Sequence, residues 1–286
     1  MTTATDHVAL GVAIELTDED AGIVDVATAV EAAGLESLFV TEHSHVPVAR
    51  QDLVEDAFLT RHRRLLDQFS VLAAAAAVTT RIRLGTAVCV VPQHDPILLA
   101  KQVATLDHLS GGRFMLGAAA GWLVEELQNL GVDPSTRWEL MGEQIAAMKE
   151  IWTHDEAEYH GRYVDFAPIW AWPKPVQAPH PPVLVGGAGP RTLRVVAEQG
   201  DGWLRLVDDL TELDAALAEL DRLCANLGRP RPPVSACFGE LDEELLHGCL
   251  RRGVVRCVVM APTGSLDELR EFLDRCSRLR LAPPGR

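Results

Sequence analysis

Val183-Leu184-Val185-Gly186-Gly187-Ala188-Gly189-Pro190-Arg191-Thr192 decides how the rest of the chain is to be read. A β-rich run ends in glycines, and Pro190 stands at the first position of the amphipathic segment behind them. Proline suits that position, because its fixed φ matches the helix and its missing N–H would have had no partner there. The stretch is a strand, a tight turn and a helix start, which is one βα unit. Glycine-rich turns of this kind also open dinucleotide-binding folds. Here, however, the third glycine of G-x-G-x-x-G is missing, and the unit lies late in the chain.

The same unit repeats in both directions. Residues 8–14, 37–41, 82–90 and 114–119 read as strands before it, and residues 202–206, 234–238 and 254–259 as strands after it. Amphipathic or small-residue stretches at 20–33, 66–78, 96–109, 138–152, 190–199, 210–227, 242–249 and 266–279 supply the helices. Such alternation marks parallel βα units. Eight of them favour a closed α/β barrel, the (β/α)8 TIM barrel, over an open doubly wound sheet. One domain over residues 1–286 is expected. Thr17 or Asp18 is the expected N-cap of the first helix and Gly34 its stop.

Two segments break the alternation. Residues 157–182 hold a hairpin at Tyr159-His160-Gly161-Arg162-Tyr163 and then a proline-rich run, an insertion before the fifth strand. After the second strand a polar segment runs through residues 43–66, with Arg61-His62-Arg63-Arg64 near its end. Loops this long inside a compact domain are usually functional; whether this one closes as a lid is open at this point.

Composition narrows the partners. A net charge of -15 excludes nucleic acid and anionic membranes as partners, because both are bound through basic surfaces. The longest apolar run, residues 71–78, is far short of the roughly 20 residues that span a bilayer. No basic-then-apolar leader is visible at the N-terminus, so a cytoplasmic protein is expected. The six cysteines, Cys89, Cys224, Cys237, Cys249, Cys257 and Cys276, have no metal-ligand spacing and are expected to be reduced structural thiols.

In a barrel the chemistry sits at the C-terminal ends of the strands. There, Gly186-Gly187-Ala188-Gly189 ahead of a helix start is a phosphate cradle, since glycines let backbone N–H groups approach an anion and the helix N-terminus favours negative charge. A tight turn without a ligand is the plainer alternative, and Arg191 either clamps the phosphate or covers the helix surface. Glu42-His43-Ser44-His45 places titratable groups at the barrel mouth, where a histidine beside a carboxylate works as a general acid or base. The His43-x-His45 spacing also occurs in metal hydrolases, but later strand ends offer no further ligands, and no metal site is expected. Thr86-Ala87-Val88 and Ala119-Ala120-Gly121-Trp122 are small and smooth, apart from one large aromatic. Such walls suit a flat cofactor that brings its own reactivity.

These residues resemble the bacterial luciferase-like superfamily, in particular its oxidoreductases that use the deazaflavin coenzyme F420. The resemblance is carried by Gly34-Leu35-Glu36-Ser37-Leu38-Phe39-Val40-Thr41-Glu42-His43 and by Arg83-Leu84-Gly85-Thr86-Ala87-Val88. Further matches are His94-Asp95-Pro96 through Lys101-Gln102-Val103-Ala104-Thr105-Leu106-Asp107, Leu109-Ser110-Gly111-Gly112-Arg113, Gly121-Trp122 with Glu125-Glu126, and Pro182 through Gly189. It spans about residues 8–207 and fades beyond Asp208. It implies a (β/α)8 barrel with an insertion and a cis peptide at Ala87-Val88 beneath the deazaflavin ring. It further implies cofactor phosphate on Gly187-Ala188-Gly189 and His43 facing the ring. One departure stands out: the sugar-phosphate dehydrogenases of this branch carry a glutamate where this chain has Trp122, and only three lysines are present.

Taken together, the expectation is hydride transfer between F420 and a small organic substrate. His43 is the proton donor or acceptor, tuned by Glu42 or His45, and Thr86, Ala87, Val88, Gly121, Trp122, Gly186, Gly187, Ala188, Gly189 and Arg191 form the cofactor site. A homodimer is usual in the resembling family. The rivals are an FMN-dependent monooxygenase with a flavin reductase as partner, and a non-catalytic barrel that binds a flavin or nothing.

Overall fold

The computed structural model describes residues 9–50 and 57–279. Eight parallel staves close into a barrel with helices around it, the (β/α)8 architecture expected from the strand count. The staves are β1 (Ala9–Ile14), β2 (Ser37–Val40), a third stave in two pieces, β3 (Arg83–Thr86) and β4 (Cys89–Val90), then β5 (Phe114–Ala119). After a two-stranded hairpin, β6 (Ala157–His160) with β7 (Asp165–Ile169), come β8 (Val183–Gly186), β9 (Gly202–Leu206), β10 (Val234–Phe238) and β11 (Arg256–Met260). Pairing runs β2-β1-β11-β10-β9-β8-β5, and the ring closes where the third stave joins both β2 and β5. The hairpin, antiparallel and separate, is the insertion before the fifth stave.

Side chains alternate between two cores, as a period-2 strand buried on both faces requires. In β1, Val12 and Ile14 point into the outer shell against the helices, while Ala13 joins Phe39, Met115, Leu184, Leu204 and Val258 in the barrel interior. Gly117 is where that interior is tightest: a Cβ there would sit 1.8 Å from the Thr86 carbonyl oxygen. The Thr86 hydroxyl also donates to the Gly117 carbonyl at 2.7 Å. This close backbone approach precedes the interruption of the third stave, where the Ala87–Val88 peptide is cis.

The helices are α1 (Ile23–Ala32), α2 (Ala57–His62), α3 (Gln68–Val78), α4 (Pro96–Ser110), α5 (Val124–Asn129), α6 (Arg137–Thr153), α7 (Pro190–Gln199), α8 (Leu210–Asn226), α9 (Glu243–Arg251) and α10 (Leu266–Arg278). Among the described residues none is long and apolar enough to cross a membrane. Asp67, Asp95, Asp209 and Asp242 cap α3, α4, α8 and α9 with their side chains, and Ser265 with Glu268 forms a capping box on α10.

The first helix departs from expectation. It begins at Ile23 behind Gly22, and neither Thr17 nor Asp18 caps it. Those residues serve the polar segment instead: Thr17 bonds Asp20, Arg61 reaches Asp20 and the Glu15 carbonyl, and Arg64 grips Asp18. The arginine run therefore pins α2 and the turn behind it across the end of β1. Of the segment read as a loop, residues 51–56 lie outside the described residues. All six cysteines are free and five are buried, with Cys237 at intermediate exposure. Burial pushes the Cys257 thiol up to about 12.

Candidate active site

A cavity of about 430 Å³ opens at the C-terminal mouth of the barrel. Its walls come from residues that follow strands, as the barrel rule requires. Glu15 follows β1; Thr41, Glu42 and His43 follow β2; Ala87, Val88 and Val90 belong to the broken third stave. Ala119, Ala120, Gly121 and Trp122 extend β5, Glu126 and Trp138 come from the two helices behind it, and Gly186 through Gly189 with Thr192 close the far side. His62 enters from α2.

His43 and Glu126 meet in this cavity. The His43 ring, 7% exposed, lies with Nδ1 2.8 Å from Glu126 Oε2. The other carboxylate oxygen of Glu126 accepts the Ser44 N–H at 2.7 Å and the Ser44 hydroxyl at 3.0 Å. Burial alone would raise the Glu126 carboxyl. The hydrogen bond and charge of His43 and the two donors of Ser44 outweigh it and hold the carboxyl below its ordinary range. A histidine whose Nδ1 is fixed by a buried carboxylate keeps Nε2 for proton exchange with a ligand. The Trp122 indole stands edge-on to the same ring, with centroids 5.6 Å apart at 83°.

On the other side the His62 ring stacks on His43, centroids 4.6 Å apart and planes 24° from parallel. His62 Nε2 is 3.0 Å from Glu15 Oε1, both side chains being nearly buried. Glu15, His62 and Glu126 had no role assigned from sequence. Glu15 was within reach of the strand-end rule, being the residue after β1. Glu126 sits in the matched Gly121-Trp122 to Glu125-Glu126 segment, on the first turn of α5. It brings a carboxylate to His43 from four residues beyond Trp122. His62 carried no signal beyond its place in an arginine run.

Four of the residues expected in the site are bonded or placed otherwise. Glu42 does not tune His43. One of its oxygens accepts the Val90 N–H at 2.5 Å, and the other meets His94 Nε2 at 2.8 Å, tying β2 to β4. Successive residues of an extended chain point to opposite sides, so Glu42 and His43 diverge. His45 turns to Ser44 Oγ and Asn129, both at 2.9 Å, and is not part of the cavity wall. Thr86 is fully buried on Gly117 and, with the exposed Arg191, lies outside the cavity lining.

Donor types for a metal do occur together once among the described residues: atoms of Glu42, Cys89 and His94 lie within 4.8 Å of one another. Burial and the charge of Glu42 push the Cys89 thiol well above its usual range, so it is a neutral thiol here. Burial lowers the His94 imidazole, but the hydrogen bond and charge of Glu42, with Asp67, reverse this and raise it. The pair behaves as a clamp between two staves.

The far wall suits an anion carried on a flat ring. Gly187 has φ +116, and a Cβ there would meet Thr192 Oγ1 at 2.9 Å; a Cβ on Gly186 would meet Val88 Cγ1 at 2.7 Å. Both glycines are required by the backbone and by the closeness of the wall. Helix α7 starts directly behind, and its N-cap, Gly189, offers no side-chain acceptor to the first-turn N–H groups. Those donors are left for an anion. Between loop and histidine, Ala87, Val88, Ala119 and Ala120 form a smooth apolar wall.

A family model described as luciferase-like monooxygenase matches residues 7–240. The chain belongs to the luciferase-like monooxygenase family. A relative from Mycobacterium tuberculosis, strain H37Rv, the protein Rv0953c, is 41% identical over 265 residues, covering 90% of this chain and 93% of its own. An FMNH(2)-dependent dimethylsulfone monooxygenase from Pseudomonas putida is 32% identical over 140 residues, 48% of this chain and 38% of that one. Among solved luciferase-like structures, monooxygenase RslO1 from Streptomyces bottropensis superposes with a TM-score of 0.76 at 17% identity, covering 95% of this chain and 98% of that one. The F420-dependent tetrahydromethanopterin reductase from Methanopyrus kandleri gives 0.74 at 17%, with the same coverage. An F420-dependent secondary alcohol dehydrogenase gives 0.75 at 14%, covering 94% and 97%. Structural likeness at these identities shows the shared barrel. Family membership makes the chain one of the luciferase-like oxidoreductases and monooxygenases; its relatives and structural neighbours include both F420-dependent and FMN-dependent enzymes.

Proposed function

We propose that the chain is an F420-dependent oxidoreductase that moves a hydride between the deazaflavin and a small, uncharged organic substrate. The observation that carries this reading is His43, fixed by buried Glu126 in a cavity whose opposite side is a glycine cradle at a helix N-terminus. The deazaflavin, when bound, supplies or accepts the hydride. Gly187, Ala188, Gly189 and the first turn of α7 would hold its phosphate, and Ala87 and Val88 would lie against its ring. His43 would give a proton through Nε2 to the substrate oxygen in reduction and take it back in oxidation, with Glu126 compensating the charge. Trp122 and Trp138 shield the cavity and offer apolar contact to the substrate.

Among the described residues the lining has three glutamates and no lysine or arginine, which disfavours an anionic substrate. The likeness to two F420-dependent enzymes over nearly the whole chain supports the cofactor assignment. The identity to an FMNH(2)-dependent relative supports the second reading, a monooxygenase served by a flavin reductase. A homodimer in the cytoplasm completes the proposal.

Fluorescence titration of the purified protein with oxidised F420 and with FMN tests it. Tight F420 binding with weak FMN binding is expected. The reverse result moves the function to the monooxygenase, and no binding of either leaves a barrel without this chemistry.

A further inference from the structure

We propose that His62 is a positioning residue for His43, locking the plane of that ring, and that Glu15 in turn holds His62. The inference rests on the reading of His43 as the proton-transfer group.

One hydrogen bond does not fix an imidazole. The bond from Nδ1 to Glu126 sets which nitrogen is engaged, yet the ring can still turn about the line joining the two atoms. Trp122 touches the ring only by an edge contact and is itself 54% exposed. The stacked face of His62 removes the remaining rotation.

His62 is placed for that task at some cost. It comes from α2, outside the barrel, and is 4% exposed at the barrel mouth. The neighbouring Arg61 ties the same turn to the Glu15 carbonyl and to Asp20. A buried histidine–carboxylate pair adds little stability over an apolar pair of the same shape. Its place in the cavity wall, face to face with the proton-transfer ring, gives it a use that stability does not. Reacting groups held within a fraction of an ångström of the productive geometry are what such supporting contacts provide.

The test uses the full chain, free of cofactor, with 15N-labelled histidine. Long-range nitrogen–proton spectra report the tautomer and order of each ring, and the His43 signals are assigned by their loss in His43→Gln. Wild type should show one sharp tautomer for His43, with the proton on Nδ1 or both nitrogens protonated. His62→Ala should broaden or average these signals, and Glu15→Gln should do so more weakly. His62→Phe, which keeps a flat ring but no bond to Glu15, should restore most of the order. His43 signals that stay sharp and single in His62→Ala overturn the proposal, as does His62→Phe behaving like His62→Ala. If His62→Ala fails to fold, Glu15→Gln and His62→Phe decide by the same signals. Failure of the cofactor reading would appear separately, as wild type binding neither F420 nor FMN.

Discussion

Replacing Glu126 tests the centre of the site without needing a substrate. The side chains of His43 and Glu126 are 7% and 2% exposed and meet at 2.8 Å, so their hydrogen bond is charge-assisted and almost free of solvent screening. Bonds to a charged partner contribute about 1.5 to 3 kcal/mol. A double-mutant cycle built from His43→Ala, Glu126→Gln and the pair should return a coupling in that range at pH 6, read by urea unfolding. For a chain of 286 residues the unfolding entropy is about 0.6 kcal/mol/K, so loss of the coupling shifts Tm by about 3 to 5 °C. The sign of the pH dependence follows from the depressed Glu126 carboxyl. A carboxyl held below its unfolded value contributes stability above that value, about 4.3, and loses it as pH falls through the folded one. The coupling should therefore shrink as the pH is taken below about 4. A coupling under about 0.5 kcal/mol at pH 6, the level of an exposed pair, would refute the buried ion-pair reasoning.

Three further outcomes are expected. Gly117→Ala should cost about 3 kcal/mol or prevent folding, because its Cβ would lie 1.8 Å from the Thr86 carbonyl oxygen, a backbone atom that cannot rotate away; an unchanged urea midpoint would contradict the closeness of β3 and β5. Gly187→Ala, at φ +116 and 2.9 Å from Thr192 Oγ1, should weaken binding of the phosphorylated cofactor about tenfold or more, while a deazaflavin lacking the phosphate binds as before. Paired fluorescence titrations compare the two. His94 is raised in the folded state, so its share of stability is complete below the unfolded value, about 6.5, and is lost as pH rises through the folded value. His94→Phe should flatten the fall of unfolding free energy above pH 6.5 by at most one proton, about 1.4 kcal/mol per pH unit; an unaltered slope would place the proton elsewhere.

The staves were legible because strands buried on both faces are written as nearly continuous apolar runs, such as Phe114–Ala119 and Val183–Gly186, bounded by glycine or proline. The glycine turn and the helix start behind it were legible for a local reason, a proline at the start of a helix directly after glycines. What escaped was decided by long-range contact. Residues 82–90 read as one strand, whereas the structure divides it in two just beyond the close approach of Thr86 to Gly117. The helix Ala57–His62 was hidden in a polar stretch, since its anchors are aspartates more than forty residues away. Glu42 was paired with His43 by adjacency, whereas alternation along the extended chain sends one to His94 and the other to Glu126.

That alternation has a consequence for the whole mouth of the barrel. Glu15, Glu42 and Glu126 all line the cavity, and each is bonded to a histidine from a different element: His62, His94 and His43. Histidine can balance a carboxylate and still exchange a proton near neutral pH, which arginine cannot. The histidine side of the cavity therefore offers no permanent cation to an anion. The opposite side has the fixed positive potential of the α7 N-terminus and the N–H groups of the glycine turn. A molecule with an anionic tail and a neutral ring meets one favourable end for each part, and the reversed orientation puts the anion against three carboxylates. On the proposed reading, electrostatics alone would favour such a ligand along the Ala87–Val88 wall with its anionic end at α7 and its uncharged end toward His43.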